Sequence, residues 1–223
     1  MRAIILSLPV IILLHGPAVA GSSTAALESA AASGEFADLA TLDGVAVDLK
    51  YASDINAFGQ NVYGDFHTAL LRKEAAAALA RAAKSLGEAH PGYKLLVFDA
   101  LRPRSVQRLF WAKVKGTPFQ KYVADPDKGS VHNYGMAVDI SVMDSAGKEL
   151  DMGTPYDGFT PLAQPRMEDE NLAKGLLTQA QMANRTILRK AMTGAGFIQN
   201  PLEWWHYDAA PREKVRAKYK IVE

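Results

Sequence analysis

The chain has no cysteine among its 223 residues. That excludes disulfides, thiolate metal ligands and a lipid anchor on an N-terminal cysteine. Net charge is almost absent too, with 25 Lys+Arg against 24 Asp+Glu. No basic cluster interrupts that balance, so the chain lacks the electrostatic footprint of a nucleic-acid binder and the polybasic helix of a membrane-surface protein. Its longest apolar run, Ala3 to Leu14, falls short of the roughly 20 residues a membrane span requires. Repeats and long low-complexity blocks are missing as well. Histidine is scarce, at five residues. With no thiol available, any metal site must be built from these histidines and from carboxylates.

The N-terminus reads as a secretory signal: Arg2, the short apolar run, and small residues at Ala18 and Ala20 fit a peptide cut after Ala20. The expected organisation is therefore a signal peptide over 1–20, a flexible leader rich in Ala and Ser over 21–38, and one catalytic-sized domain over 39–223. The mature protein is expected to be exported, in the periplasm, with no stable membrane anchor.

Within the domain, "GVAVDLKYA" (44–52) alternates as a strand does. Leu70–His90 is the strongest helical stretch, and "YKLLVFDA" (93–100) a buried-type strand. A second helix follows "LRPRS" and ends near Gly116. "MAVDISVM" (136–143) is a strand with Asp139 on the face opposite Val138 and Ile140. Asp144 to Lys174 is a long polar loop, of a length that is more often functional than idle. Thr178–Gly196 is a helix, "LEWWHYDA" (202–209) a last strand, and Pro211 opens a short C-terminal helix. Helices and strands in mixed order predict an α+β fold, a single domain with a mainly antiparallel sheet and flanking helices.

Polar residues in that apolar pattern point to chemistry. "SVHNYGMAVDIS" (130–141) puts His132 and Asp139 seven apart, with Gly135 and Ala137 leaving room for a close approach between them. "EWWHY" places His206 three residues after Glu203. His132, Asp139 and His206 make a ligand set suited to a catalytic Zn²⁺ with an open position, and Glu203 is the candidate base beside it. In a regular strand residues three apart point to opposite faces, so Glu203 and His206 share a site only if the chain bends near Glu203, after Pro201. Spacing alone leaves two readings open, since histidines in strands also serve as structural residues. An aspartate on one face of an apolar strand is harder to explain that way, because an unpaired buried carboxylate costs several kcal/mol.

The same segments resemble the zinc D-alanyl-D-alanine peptidases related to the hedgehog N-terminal domain. "SVHNYGMAVD" fits their SxHxxGxAxD pattern and "EWWHY" their second motif. "DLKYA" (48–52), "ALRP" (100–103), "DMGTPYD" (151–157) and "NRTIL" (184–188) resemble, in order, segments of the D-Ala-D-Ala dipeptidase branch. This branch includes the vancomycin-resistance dipeptidase. The resemblance implies one Zn²⁺ per chain on His132, Asp139 and His206, with Glu203 as general base and acid. It further implies that Arg102 stabilises the developing oxyanion, that Ser130 and Asp157 hold the substrate's ends, with Asp157 on the ammonium, and that Tyr51 lies by the pocket. The implied reaction is hydrolysis of a small D,D-dipeptide, D-Ala-D-Ala, to free D-alanine. The two rival readings are a D,D-carboxypeptidase that trims peptidoglycan stem peptides and a non-catalytic zinc-containing binding domain. The resistance dipeptidases act in the cytoplasm. An exported relative would not meet that pool, which favours recovery of D-alanine from wall-derived dipeptide.

Overall fold

A computed structural model describes residues 16–223, with side chains from residue 21 onward. Residues 1–15 of the expected signal peptide lie outside the described residues. Helix α1 (Gly16–Ala32) runs across the expected cut after Ala20. Among the described residues no helix is long and apolar enough to cross a membrane.

The frame is a five-stranded sheet in the order β2-β4-β5-β7-β6, made of β2 (Val45–Val47), β4 (Lys94–Asp99), β5 (Ala137–Met143), β7 (His206–Asp208) and β6 (Ile198–Gln199). The β2–β4 pair is parallel and the other three pairs are antiparallel, as expected for an α+β domain. A separate antiparallel pair joins β1 (Phe36–Asp38) to β3 (Leu70–Arg72). The main helices are α2 (Lys73–Ala89), α3 (Arg104–Val114) and α5 (Gln179–Gly194), with α4 (Glu168–Ala173) and α6 (Arg212–Lys218) short.

Central strand β5 is buried on both faces, apart from its last residue. Its Val138, Ile140 and Val142 join Leu79 and Ala82 of α2 and Leu188 and Met192 of α5 in the main core cluster. The alternate positions, Ala137, Asp139 and Ser141, share the opposite face, where polar groups from β4 and β7 also lie.

Residues 21–38 are not a flexible leader. Most of the segment is α1, and Phe36–Asp38 forms β1. Leu27 and Ala30 are buried with Val62, Tyr63 and Phe110 in a second core cluster. Ser23 donates to the carbonyl of Val62, and Thr24 Oγ1 donates to that of Tyr63 at 2.8 Å. The Ala-rich composition that suggested slackness is also the best helix-forming composition, and small side chains permit close packing once an apolar partner is present. The folded domain therefore begins before residue 39.

Two further expectations change. Asp144–Lys174 is not one open loop, because it contains α4 and two 3-10 turns. Arg185 of α5 straps it down, donating to the Met152 carbonyl at 2.8 Å, the Leu162 carbonyl at 3.0 Å and Glu168 Oε1 at 3.3 Å. The last strand is shorter than expected. Only His206–Asp208 is extended, and Glu203 to Trp205 belongs to a turn closed by the His206 N–H on the Glu203 carbonyl at 3.4 Å. This is the bend that Glu203 and His206 need to face one site.

Candidate metal centre and its cavity

Strand register builds the site. Asp139 on β5 pairs with Asp99 on β4 at one side and with His206 on β7 at the other. Three adjacent strands thus present one row of side chains on one face. His132 arrives from a 3-10 turn, Val131–Tyr134, that precedes β5 and ends at Gly135 with φ +67°. A Cβ at Gly135 would lie 2.6 Å from the Phe36 ring and 3.5 Å from the Arg72 nitrogen. The room left by Gly135 is therefore taken by β1 and β3, and it turns the chain into β5 rather than admitting a ligand.

The three candidate ligands meet. His132 Nε2 lies 3.2 Å from Asp139 Oδ1 and 3.1 Å from His206 Nδ1, and that Nδ1 lies 3.0 Å from Asp139 Oδ1. Each ring is oriented from behind. His132 Nδ1 donates to the Ala100 carbonyl at 2.7 Å, and His206 Nε2 donates to Asp208 Oδ1 at 2.8 Å. Because those partners only accept, the neutral rings turn their lone pairs inward, and three electron-rich atoms face one another. Tetrahedral metal sites with bonds of about 2.0–2.2 Å space their ligand atoms about 3.3–3.6 Å apart, close to this triangle. The residues therefore fit a metal ion. They form the one such group of three among the described residues.

The carboxylates around these rings favour positive charge at the centre. Burial alone would lower the His206 imidazole, but the Asp208 charge and the hydrogen bonds of Asp139 and Asp208 push it up to about 10. Burial would likewise raise Asp139. The charge of His132, with hydrogen bonds from both imidazoles, instead holds its carboxyl well below the usual range.

Around the triangle lies a cavity of about 140 Å³ whose lining includes Tyr51, Arg102, Ser130, Asp157, Glu203 and Trp205 as well as the three ligands. The structure thus brings all eight expected site residues to one place. Glu203 is buried, and Asn200 Nδ2 donates to its Oε2 at 2.7 Å. Burial pushes its carboxyl up to about 7; His206 opposes the rise and Asp139 adds to it. Asp157 has left-handed backbone, φ +57°, which Asp tolerates better than most residues. Its Oδ2 accepts from Tyr51 Oη at 2.8 Å. Burial, and then the Asp139 charge, push this carboxyl well above the ordinary range. Asp157 is thus both the turn residue its Asp-Gly sequence suggests and a cavity-lining carboxylate in want of a positive partner.

Arg102 forms an ion pair with Asp99 and does more. Its Nε and Nη2 reach Asp99 Oδ2 at 2.9 and 2.6 Å, Nη2 also reaches Asp139 Oδ2 at 3.3 Å, and Nη1 donates to Gln107 Oε1 at 3.1 Å. Tyr63 Oη closes the other side of Asp99 at 2.6 Å. Of the two tryptophans in the EWWHY segment, Trp205 lines the cavity, and Trp204 is core, its Nε1 donating to Thr154 Oγ1 at 2.8 Å.

Sequence reasoning did not assign roles to Asp208, Tyr156 or Gln107. Asp208 carries a signal, since it lies two residues after His206 and so on the same strand face. Tyr156 Oη donates to Asp139 Oδ2 at 3.0 Å from the far end of a loop, and no local pattern announces that contact.

Comparison with known proteins places the chain among relatives of one kind. A family model described as D-Ala-D-Ala dipeptidase matches residues 32–222. The chain is 34% identical over 176 residues to the D-alanyl-D-alanine dipeptidase of Escherichia coli (strain K12), covering 78% of this chain and 84% of that one. It is 31% identical over 182 residues to the D-alanyl-D-alanine dipeptidase of Enterococcus faecalis (strain ATCC 700802 / V583), covering 74% and 86%. Against that of Enterococcus faecium it is 30% identical over 181 residues, covering 74% and 85%.

Proposed function

The chain belongs to the D-Ala-D-Ala dipeptidase family of metallopeptidases, and on that premise we propose that it hydrolyses free D-Ala-D-Ala to D-alanine using one Zn²⁺ held by His132, Asp139 and His206. The observation that carries this reading is the triangle of inward-facing acceptors with Glu203 and Arg102 in the same small cavity. A bound Zn²⁺ supplies Lewis acidity, acidifying water and polarising the scissile carbonyl.

The protein's own groups do the rest. Glu203, near pH 7 in its affinity for protons, takes the proton of the attacking water and returns it to the leaving amine. With Oε2 held by Asn200, Oε1 is the oxygen that carries it. Arg102 has five N–H groups, and the contacts to Asp99, Asp139 and Gln107 engage four of them. The remaining one, on Nη1, is the donor for the oxyanion, prepaid in orientation by its carboxylate partners. Asp157, buried beside Tyr51, gains the counter-charge it lacks when the substrate ammonium enters. Ser130, at the mouth of the His132 turn, holds the opposite end of the dipeptide. A non-catalytic zinc domain needs neither Glu203 nor Arg102 in the cavity. We place the enzyme outside the inner membrane, on the strength of the N-terminal pattern, where it recovers D-alanine from wall-derived dipeptide.

The test is D-alanine release from D-Ala-D-Ala, N-acetyl-D-Ala-D-Ala and L-Ala-L-Ala, with and without chelator, and with Glu203→Ala. Metal-dependent cleavage of the free D,D-dipeptide alone supports the proposal. Cleavage of the blocked peptide moves the activity to carboxypeptidase. A zinc-loaded chain that cleaves none of them is a binding domain.

A further inference from the structure

The metal-facing oxygen of Asp139 is Oδ1, which lies 3.2 Å from His132 Nε2 and 3.0 Å from His206 Nδ1. A carboxylate is free to rotate about its last bond, so something must keep Oδ2 turned away. Two donors do so: Arg102 Nη2 at 3.3 Å and Tyr156 Oη at 3.0 Å. They differ in how firmly they are committed. Arg102 Nη2 is shared with Asp99, its nearer partner at 2.6 Å, and its guanidinium has work to do on the substrate. Tyr156 is fixed by its ring, which sits 5.1 Å from Phe98, 5.5 Å from Trp205 and 6.0 Å from Tyr51, centroid to centroid. A phenol facing a carboxylate oxygen at this distance is the donor of the pair. Its chain neighbour is Asp157, which has left-handed backbone and whose own carboxyl accepts from Tyr51 Oη.

We propose that Tyr156 is a positioning residue that locks Asp139 in a one-oxygen ligand geometry and thereby sets metal affinity. This rests on His132, Asp139 and His206 holding the ion. Because Tyr156 and Asp157 are adjacent, the same turn that reads the substrate's ammonium also holds the metal ligand. Losing the hydroxyl frees Oδ2 to swing inward or toward Arg102, at a cost in metal affinity of the size seen when a ligand's supporting hydrogen bond is removed, about 10–100-fold.

The experiment compares wild type, Tyr156→Phe and Tyr51→Phe for the Kd of Zn²⁺ by competition with a chromophoric chelator. The Tm of each metal-free protein serves as the fold control, and kcat and KM for D-Ala-D-Ala are measured on each zinc-saturated chain. Tyr156→Phe is expected to raise the Zn²⁺ Kd about tenfold or more, with metal-free Tm kept and kcat lowered more than KM is changed. Tyr51→Phe, whose hydroxyl bonds Asp157 instead, is expected to keep the wild-type Kd and raise KM. An unchanged Kd in Tyr156→Phe overturns the proposal, as does an equal rise in both variants. If wild type binds Zn²⁺ but leaves D-Ala-D-Ala intact, the dipeptidase reading fails while the Kd comparison still decides the role of Tyr156. If wild type binds no Zn²⁺, both fall.

Discussion

Asp99 and Asp139 sit directly opposite each other on neighbouring strands β4 and β5, two buried carboxylates in one register pair. Like charges so placed repel, and the arrangement stands because Arg102 Nη2 lies between them, 2.6 Å from one and 3.3 Å from the other. One nitrogen thus ties the structural carboxylate of β4 to the candidate metal ligand of β5.

Arg102→Ala should therefore lose both activity and stability. Removing one partner of a buried ion network leaves uncompensated charge and typically costs about 3–5 kcal/mol; losing an oxyanion donor costs about 10²–10³ in rate. Arg102→Lys keeps the charge without the fork and should recover much of the stability but little of the rate. Urea denaturation alongside kcat separates the two effects. Equal losses in both variants for both quantities would argue against a catalytic share for Arg102.

Glu203 gives a pH prediction. Its folded-state value of about 7 lies above the ordinary carboxylate value. The folded metal-free protein therefore binds more protons than the unfolded chain in the window between, and its stability falls as pH rises through that window. Glu203→Gln removes the ionisation, so the metal-free variant should match wild type near pH 4 and exceed it at pH 8, by up to about 3 kcal/mol. In the loaded enzyme a nearby cation favours the carboxylate. The acid limb of kcat should consequently lie no higher than about pH 7 and vanish with the residual activity of Glu203→Gln. Denaturant midpoints and pH–rate profiles check the two halves.

Asp208→Ala should weaken the metal site without touching a ligand. It removes the acceptor that fixes the His206 Nε2–H at 2.8 Å, and it unpairs Arg212 Nε, 3.1 Å from Asp208 Oδ2. A fall of about 10–100-fold in metal affinity is expected, read by chelator competition at fixed pH. Wild-type affinity in this variant would mean that ring packing alone orients His206.

Asp157→Asn separates recognition from chemistry. The neutral amide cannot answer an ammonium, so kcat/KM for free D-Ala-D-Ala should fall by at least about tenfold, chiefly through KM, while Zn²⁺ affinity stays the same. A selective loss of kcat with KM unchanged would place Asp157 in the chemical step instead.

Much of this was legible in the chain before any coordinate. The apolar alternation of 136–143 marked β5 and put Asp139 on a face of its own, and the helical stretch Thr178–Gly196 marked α5. The two motif segments held all three candidate ligands, because such residues are read from local runs when each run is one strand or one turn. The turn at Glu203 was foreseeable from the spacing conflict with His206. What stayed hidden depends on non-local register. Asp99 matters because β4 pairs with β5 so that it falls opposite Asp139, and Tyr156 matters because α5 straps down the loop that carries it. Alanine-rich 21–32 misled because composition reports helix propensity and slackness alike, and only the partner surface at Val62, Tyr63 and Phe110 decides between them.

The row Asp99–Asp139–His206 has a consequence for how the chain reaches its fold. Side chains alternate along a strand, so a slip of β5 by a single residue would send Val138 or Ile140 to the site and turn Asp139 into the apolar layer. The three ligand atoms converge in one pairing of the strands and in no neighbouring one. An ion held by His132, Asp139 and His206 would therefore act as a proofreader of assembly. It would stabilise the correctly registered chain by RT ln(1 + [L]/Kd) and give the slipped chains nothing.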